Sequence, residues 1–254
     1  MKDPVTLAYI NLYGILGGME DLCALAPEAK ELVSSLPGDK PLVVGFTVKN
    51  GPAMTLAFTA QGCTARIGDG PCDIRLPFSG CEKFNGLIDG TVTPIPSKGF
   101  TKLKFLTHTF TKLTKILEGY LRPPAEVSDP GFVNAGTVIM FFVIARTLSQ
   151  IGNHDSIGRF TASNIPDGTV VLSVTGGPRA AIQVRDHCLT TSREIPEHYH
   201  AVMEFESLSL ARQLFDGKVN ALACVGQGLI SMRGNLGMLD NVNRLLDRAA
   251  FYLT

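Results

Sequence analysis

The sequence predicts an α+β fold built from two similar units in tandem. Three observations predict it. Stretches with an apolar residue every three or four positions are interspersed with stretches in which every second residue is apolar, the periods of helix and strand. A break with four Pro or Gly among the ten residues 122–131 (RPPAEVSDPG) divides the chain near its middle. The order of elements is the same on both sides of it.

In the first half, residues 1–124, Leu22, Leu25, Ala26, Ala29, Leu32, Val33 and Leu36 fall on one helical stripe, and Pro37-Gly38-Asp39 is expected to end it. Leu42–Val48 reads as a strand and Asn50-Gly51 as a hairpin turn. Alternation at Met54, Leu56 and Phe58, at Ala65 and Ile67, and at Ile74, Leu76 and Phe78 predicts further strands. After Pro94 and Pro96, Leu103 and Phe105 predict the last strand, and Leu106, Phe110, Leu113, Leu117 and Leu121 a closing helix. The second half, residues 131–254, repeats this. A helix over 133–151 leads to strands at 170–174 and 181–184, joined by Gly176-Gly177. Met203 with Phe205 and Ile230 with Met232 alternate, and Leu239, Val242, Leu246, Ala249 and Leu253 form the last helical stripe. A gapless offset pairs Phe78 with Phe205, Leu87 with Leu214, Asp89-Gly90 with Asp216-Gly217, Val92 with Val219, Gly99 with Gly226, Leu103 with Ile230 and Phe105 with Met232.

Composition bounds the function. With 45% hydrophobic and 18% charged residues in 254, the chain can bury proper cores, which excludes disorder over most of its length. Lys+Arg 23 against Asp+Glu 23 gives a net charge of zero, so no nucleic-acid partner is expected and membrane contact is at most transient. Local patches stay open: Lys102, Lys104, Lys112 and Lys115 read as a solvated face or as a surface for a ligand carboxylate or anionic headgroups. The cysteines Cys23, Cys63, Cys72, Cys81, Cys188 and Cys224 form no C-x-x-C pair and read as reduced thiols. The start, Met1-Lys2-Asp3-Pro4, lacks the basic, apolar pattern of a signal peptide, so a cytoplasmic location is expected. Residues 131–145, GFVNAGTVIMFFVIA, are apolar over a stretch shorter than the ~20 residues of a spanning helix, and a buried helix is expected there.

Residues 205–246 resemble the C-terminal part of a sterol carrier protein domain: an aromatic-ended strand at Phe205, a short helix ending in the turn Asp216-Gly217-Lys218, Gly228 before the last strand, and Gly234 before the closing helix. Residues 78–117 resemble it less closely, keeping Asp89-Gly90 and Gly99 but with Thr107 where the strand-ending glycine belongs. The resemblance implies two tandem domains, each a mixed five-stranded sheet covered on one face by helices, with an apolar tunnel for a fatty acyl chain, sterol or similar lipid. The lining residues it suggests are Phe46, Leu56, Phe58, Phe78, Leu103, Phe105, Met203, Phe205, Phe215, Ile230 and Met232, all of which also suit a closed core.

Other chemistry is weakly signalled. His198 and His200 have the spacing of a metal pair, but no third ligand is evident near them, and exposed histidines are the expected reading. His154-Asp155 reads as a helix-to-loop connection, and Gly176-Gly177-Pro178 leads to a strand rather than to a phosphate-binding helix. The expectation is a non-enzymatic lipid binder without cofactor or metal, able to associate with a protein partner or with itself. The alternatives are an assembly module with closed cores and an enzyme acting on an apolar substrate.

Overall fold

A computed structural model describes residues 2–36, 40–124 and 126–253. The chain forms two compact units that divide after Ala135, inside a helix rather than in the proline-rich break.

The first unit opens with a helix that the sequence reading does not place, although its signals are present. The Asp3 carboxylate accepts the Thr6 N–H at 2.8 Å, and Pro4 occupies the first turn. This helix, α1 (Pro4–Tyr9), runs through a wide π turn (Ile10–Ile15) and a tight 3-10 turn (Leu16–Gly18) into α2 (Met19–Leu25). The single helix expected across Leu22 and Leu36 is broken: Ala26 is extended (φ −83°, ψ 120°), as the residue before Pro27 prefers, and α3 (Pro27–Ser34) starts afresh. The stop at Pro37-Gly38-Asp39 lies outside the described residues. Strands β1 (Leu42–Val48), β2 (Ala53–Thr59), β3 (Gly62–Ile67) and β4 (Ile74–Phe78) form a mixed sheet in the order β3-β2-β1-β4, with β1 and β4 parallel. α4 (Cys81–Ile88) follows.

The strand expected at Leu103 and Phe105 is helical. A 3-10 turn (Phe100–Lys102) leads through a π turn (Phe105–Phe110) into α5 (Thr111–Leu121). Two alternating apolar residues cannot fix a period. Phe105, Phe110, Leu113, Leu117 and Tyr120 are buried together as one helical stripe.

The second unit contains α6 (Pro130–His154), which begins before the division, α7 (Ser156–Ala162), β5 (Gly168–Val174), β6 (Arg179–Arg185), β7 (Cys188–Ser192), β8 (Ala201–Phe205), α8 (Leu208–Phe215), α9 (Ala221–Gly226), β9 (Ile230–Gly234) and α10 (Leu236–Leu253). Its sheet has the order β7-β6-β5-β8-β9, with β5 and β8 parallel. The registers match between units: Val44 faces Leu56 and Ile74 as Val170 faces Ile182 and Ala201. Five strands per unit, the expectation for both, holds for the second only. In the first, an isolated bridge between Arg75 and Lys98 stands where β9 pairs Val202 with Arg233.

That bridge corrects the gapless pairing. Gly99 follows Lys98 and has φ +92°, and a Cβ on it would lie 2.5 Å from the Asp73 carbonyl oxygen. Gly234 follows Arg233 and has φ +95°, and its Cβ would collide with the carbonyl oxygen of His200, which precedes β8 as Asp73 precedes β4. Both glycines let the chain leave the sheet edge over a backbone that no side chain can approach. Gly99 therefore corresponds to Gly234, not to Gly226, and the strand-ending glycine of the first unit is Gly99 rather than the position of Thr107. The second unit is longer between the Asp-Gly turn and this glycine, and α9 fills the extra length.

In each unit a helix side chain satisfies the backbone of the sheet's edge strand. Glu20 accepts the Ala65 N–H at 2.7 Å. Asn153 both donates to the Leu189 carbonyl and accepts the Leu189 N–H, at 2.8 Å each. α6 is long and apolar enough to cross a membrane by length and composition, but 56% of its most apolar window is buried inside the fold. α10 packs on β8, β9 and α7. Its Arg248 donates to Asp155 at 3.0 and 2.8 Å, and its Tyr252 hydroxyl donates to the same carboxylate at 2.7 Å. Asp155 also caps α7 by accepting the Ile157 and Gly158 N–H groups.

Candidate functional site

The sequence-predicted lining residues divide between the two units. In the first, Phe46 and Phe58 on β1 and β2 meet Phe110 at 6.0 and 6.1 Å between ring centroids, and Phe58 meets Phe105 at 5.3 Å. Leu56 is buried on the same strand face, and Phe78 packs edge-on against Phe84 of α4 at 5.2 Å. Leu103 is 37% exposed and belongs to the helix, not to a strand. This aromatic cluster packs β1 and β2 against the π turn that leads into α5. The equivalent positions of the second unit are smaller. Leu172 stands for Phe46, Ala180 for Met54, Val184 for Phe58 and Ala201 for Ile74. There Met203, Phe205 and Ile230 are buried, Phe215 packs on Phe205 at 6.4 Å, and Met232 is half-buried on β9 beside Met203.

A half-open cavity of about 390 Å³ lies where β8 passes into α8 and α9 returns to β9, with Glu206, Ser209, Gln213, Asn220, Ala223 and Gln227 exposed around it. None of the sequence-predicted lining residues borders it. Its apolar lining is Leu210, Val219, Ala223, Cys224 and Leu229, and its polar lining is Glu206, Ser207, Ser209, Gln213, Asn220 and Gln227. Local sequence builds each wall. Ser207 caps α8 by accepting the Leu210 N–H at 3.2 Å, and Asn220 caps α9 by accepting the Ala223 N–H at 3.0 Å. The turn between them is held by Asp216, which binds Arg212 and Lys218 at 3.0 Å each. Burial pushes the Asp216 carboxyl up, but Lys218 and Arg212 more than offset this and hold it below the usual range. The Asp216-Gly217-Lys218 turn thus sets the spacing of α8 and α9. The turn is visible in the sequence as a motif, but the cavity beside it is not, because it depends on α9 folding back to β9.

Of the lining residues only Glu206 and Cys224 can ionise, and Cys224 is buried. The histidines weighed in the sequence lie elsewhere. His198 is exposed. His200 accepts the Thr169 N–H through Nδ1 at 3.2 Å, which uses that nitrogen in joining β5 to β8. Among the described residues no group of three His, Cys, Asp or Glu is placed to hold a metal ion.

No protein-family model matches the sequence, and no curated protein is significantly similar to it. The chain is similar to several solved structures. One is a ubiquinone synthesis protein described as UbiJ-SCP2, at 16% identity and TM-score 0.35, over 46% of this chain and 95% of that one. Another is the sterol carrier protein domain 2 of Helicoverpa armigera, at 19% identity and TM-score 0.36, over 45% and 89%. A third is the apo form of sterol carrier protein 2 from Yarrowia lipolytica, at 17% identity and TM-score 0.32, over 45% and 92%.

Proposed function

We propose that the chain is a tandem of two sterol carrier-like units, of which the second binds a single-chain or sterol-like amphiphile without transforming it, and the first is closed. The observation that carries this is the cavity between α8, α9 and β9, which has an apolar wall, a wall of amides and hydroxyls, and a volume within the ~300–1,000 Å³ of small-molecule sites. Its walls are formed by the segment that resembles the sterol carrier domain. An aliphatic tail against Leu210, Val219 and Leu229 would gain about 0.8 kcal/mol per buried CH₂ before ordering losses. The polar lining favours a ligand with a neutral hydrogen-bonding head, because Glu206 repels a carboxylate.

The first unit supports the closed half of this reading. It lacks a counterpart of α9, and Phe46, Phe58, Phe105 and Phe110 pack against one another inside it.

The test fills the cavity. Ala223 is exposed at its mouth, so Ala223→Trp should leave the melting temperature unchanged while weakening binding of a fluorescent long-chain alcohol at least about tenfold. Unchanged binding in the folded variant would place the ligand elsewhere.

A further inference from the structure

Charge and apolar exposure coincide at one place in the first unit. Between Asp89 and Glu118 the sequence carries Lys98, Lys102, Lys104, Lys112 and Lys115, one histidine and no acidic side chain, although the whole chain is neutral. Large apolar side chains are exposed within the same stretch: Ile95 at 77%, Phe100 at 62% and Leu103 at 37%. The helix from Phe100 through α5 turns Phe105, Phe110, Leu113 and Leu117 inward. It leaves Phe100, Leu103, Lys104, His108, Lys112 and Lys115 exposed along its outer side. Two of the lysines are engaged: Lys98 donates to the Cys72 carbonyl at 2.6 Å, and Lys102 pairs with Asp73 at 2.5 Å. Among the described residues Lys104, Lys112 and Lys115 have no carboxylate partner.

We infer that this face docks on an anionic phospholipid surface. Unpaired lysines along a helix attract lipid phosphates, while the exposed Phe100 and Leu103 at its start enter the boundary between headgroups and acyl chains. A nucleic-acid surface would call for arginine or aromatic stacking beside the lysines. Here Phe100 and Leu103 are exposed at the start of the helix, ahead of Lys104, Lys112 and Lys115, and the stretch holds no arginine. The inference is independent of what the α8–α9 cavity holds.

The full chain is sedimented with phosphatidylcholine vesicles with and without phosphatidylserine. It should bind only the anionic vesicles and be released when salt rises from about 0.1 M to about 1 M, which shortens the Debye length from ~10 Å to ~3 Å. The triple variant Lys104→Gln, Lys112→Gln, Lys115→Gln should bind about a hundredfold more weakly. The double variant Phe100→Ser, Leu103→Ser should bind more weakly yet keep the salt dependence. Ala223→Trp should dock like the unmodified chain, which separates a failure of this inference from a failure of the cavity reading. Equal binding to neutral and anionic vesicles, or a folded triple variant that binds as the unmodified chain does, would overturn the inference. So would a chain that ignores both vesicles and binds a labelled single-stranded RNA.

Discussion

Asp155→Ala is expected to cost about 3–5 kcal/mol and to loosen α10 from α7. The carboxylate is 1% exposed and answers two Arg248 N–H groups, the Tyr252 hydroxyl and the amides that begin α7. Removing it takes the buried acceptor away from the Arg248 guanidinium, the costly way to break a buried pair. The pH dependence has a definite sign. Burial pushes this carboxyl up, but Arg248, Tyr252 and the Gly158 amide prevail and hold it at about 2, below its ordinary 3.8. A group lowered in the folded state contributes stability above its unfolded value. Asp155 should thus contribute about 2 kcal/mol at neutral pH, and lose it as pH falls from about 4 through about 2. Denaturant unfolding at pH 7 and pH 2.5 measures this. The difference should shrink in Asp155→Asn, and an undiminished difference would remove the cluster from the account.

Gly234→Ala and Gly99→Ala should each destabilise by about 3 kcal/mol or more, because a Cβ must fit into the left-handed region and against a strand backbone at once. Gly226→Ala is the control. Nothing lies within 4 Å of its added Cβ and it ends a helix in ordinary helical conformation. Its change should stay within about 1 kcal/mol. Thermal melts of the three variants decide between the structural pairing of Gly99 with Gly234 and the gapless pairing with Gly226. A tolerated Gly234→Ala beside a damaging Gly226→Ala would restore the latter.

The parts of the fold legible in sequence were those fixed by local periodicity over several residues. The alternation at Met54, Leu56 and Phe58, the Asn50-Gly51 turn and Leu239, Val242 and Ala249 of the last stripe lie where they are expected, but Leu245 and Tyr252 are buried there in place of Leu246 and Leu253. Leu103 and Phe105 misled because two residues are compatible with either period, and the fifth strand expected on that edge shrank to one bridge. The break at Ala26 was written in Pro27 but overridden by an unbroken apolar stripe. Asp155 gave no local signal of its role, since its cation and phenol come from α10, more than ninety residues on. The cavity was legible only as a motif. Asp216-Gly217-Lys218 marks where α8 ends, whereas the space bounded by Leu210, Ala223 and Leu229 exists only once α9 has folded back on β9.

The central claim is that one unit holds a ligand and the other is closed by its own phenylalanines. Native mass spectrometry of the full chain, titrated with a long-chain alcohol, tests it most directly. The account predicts a single bound equivalent per chain, absent in Ala223→Trp. Two equivalents, or one that persists in the folded Ala223→Trp chain, would contradict it.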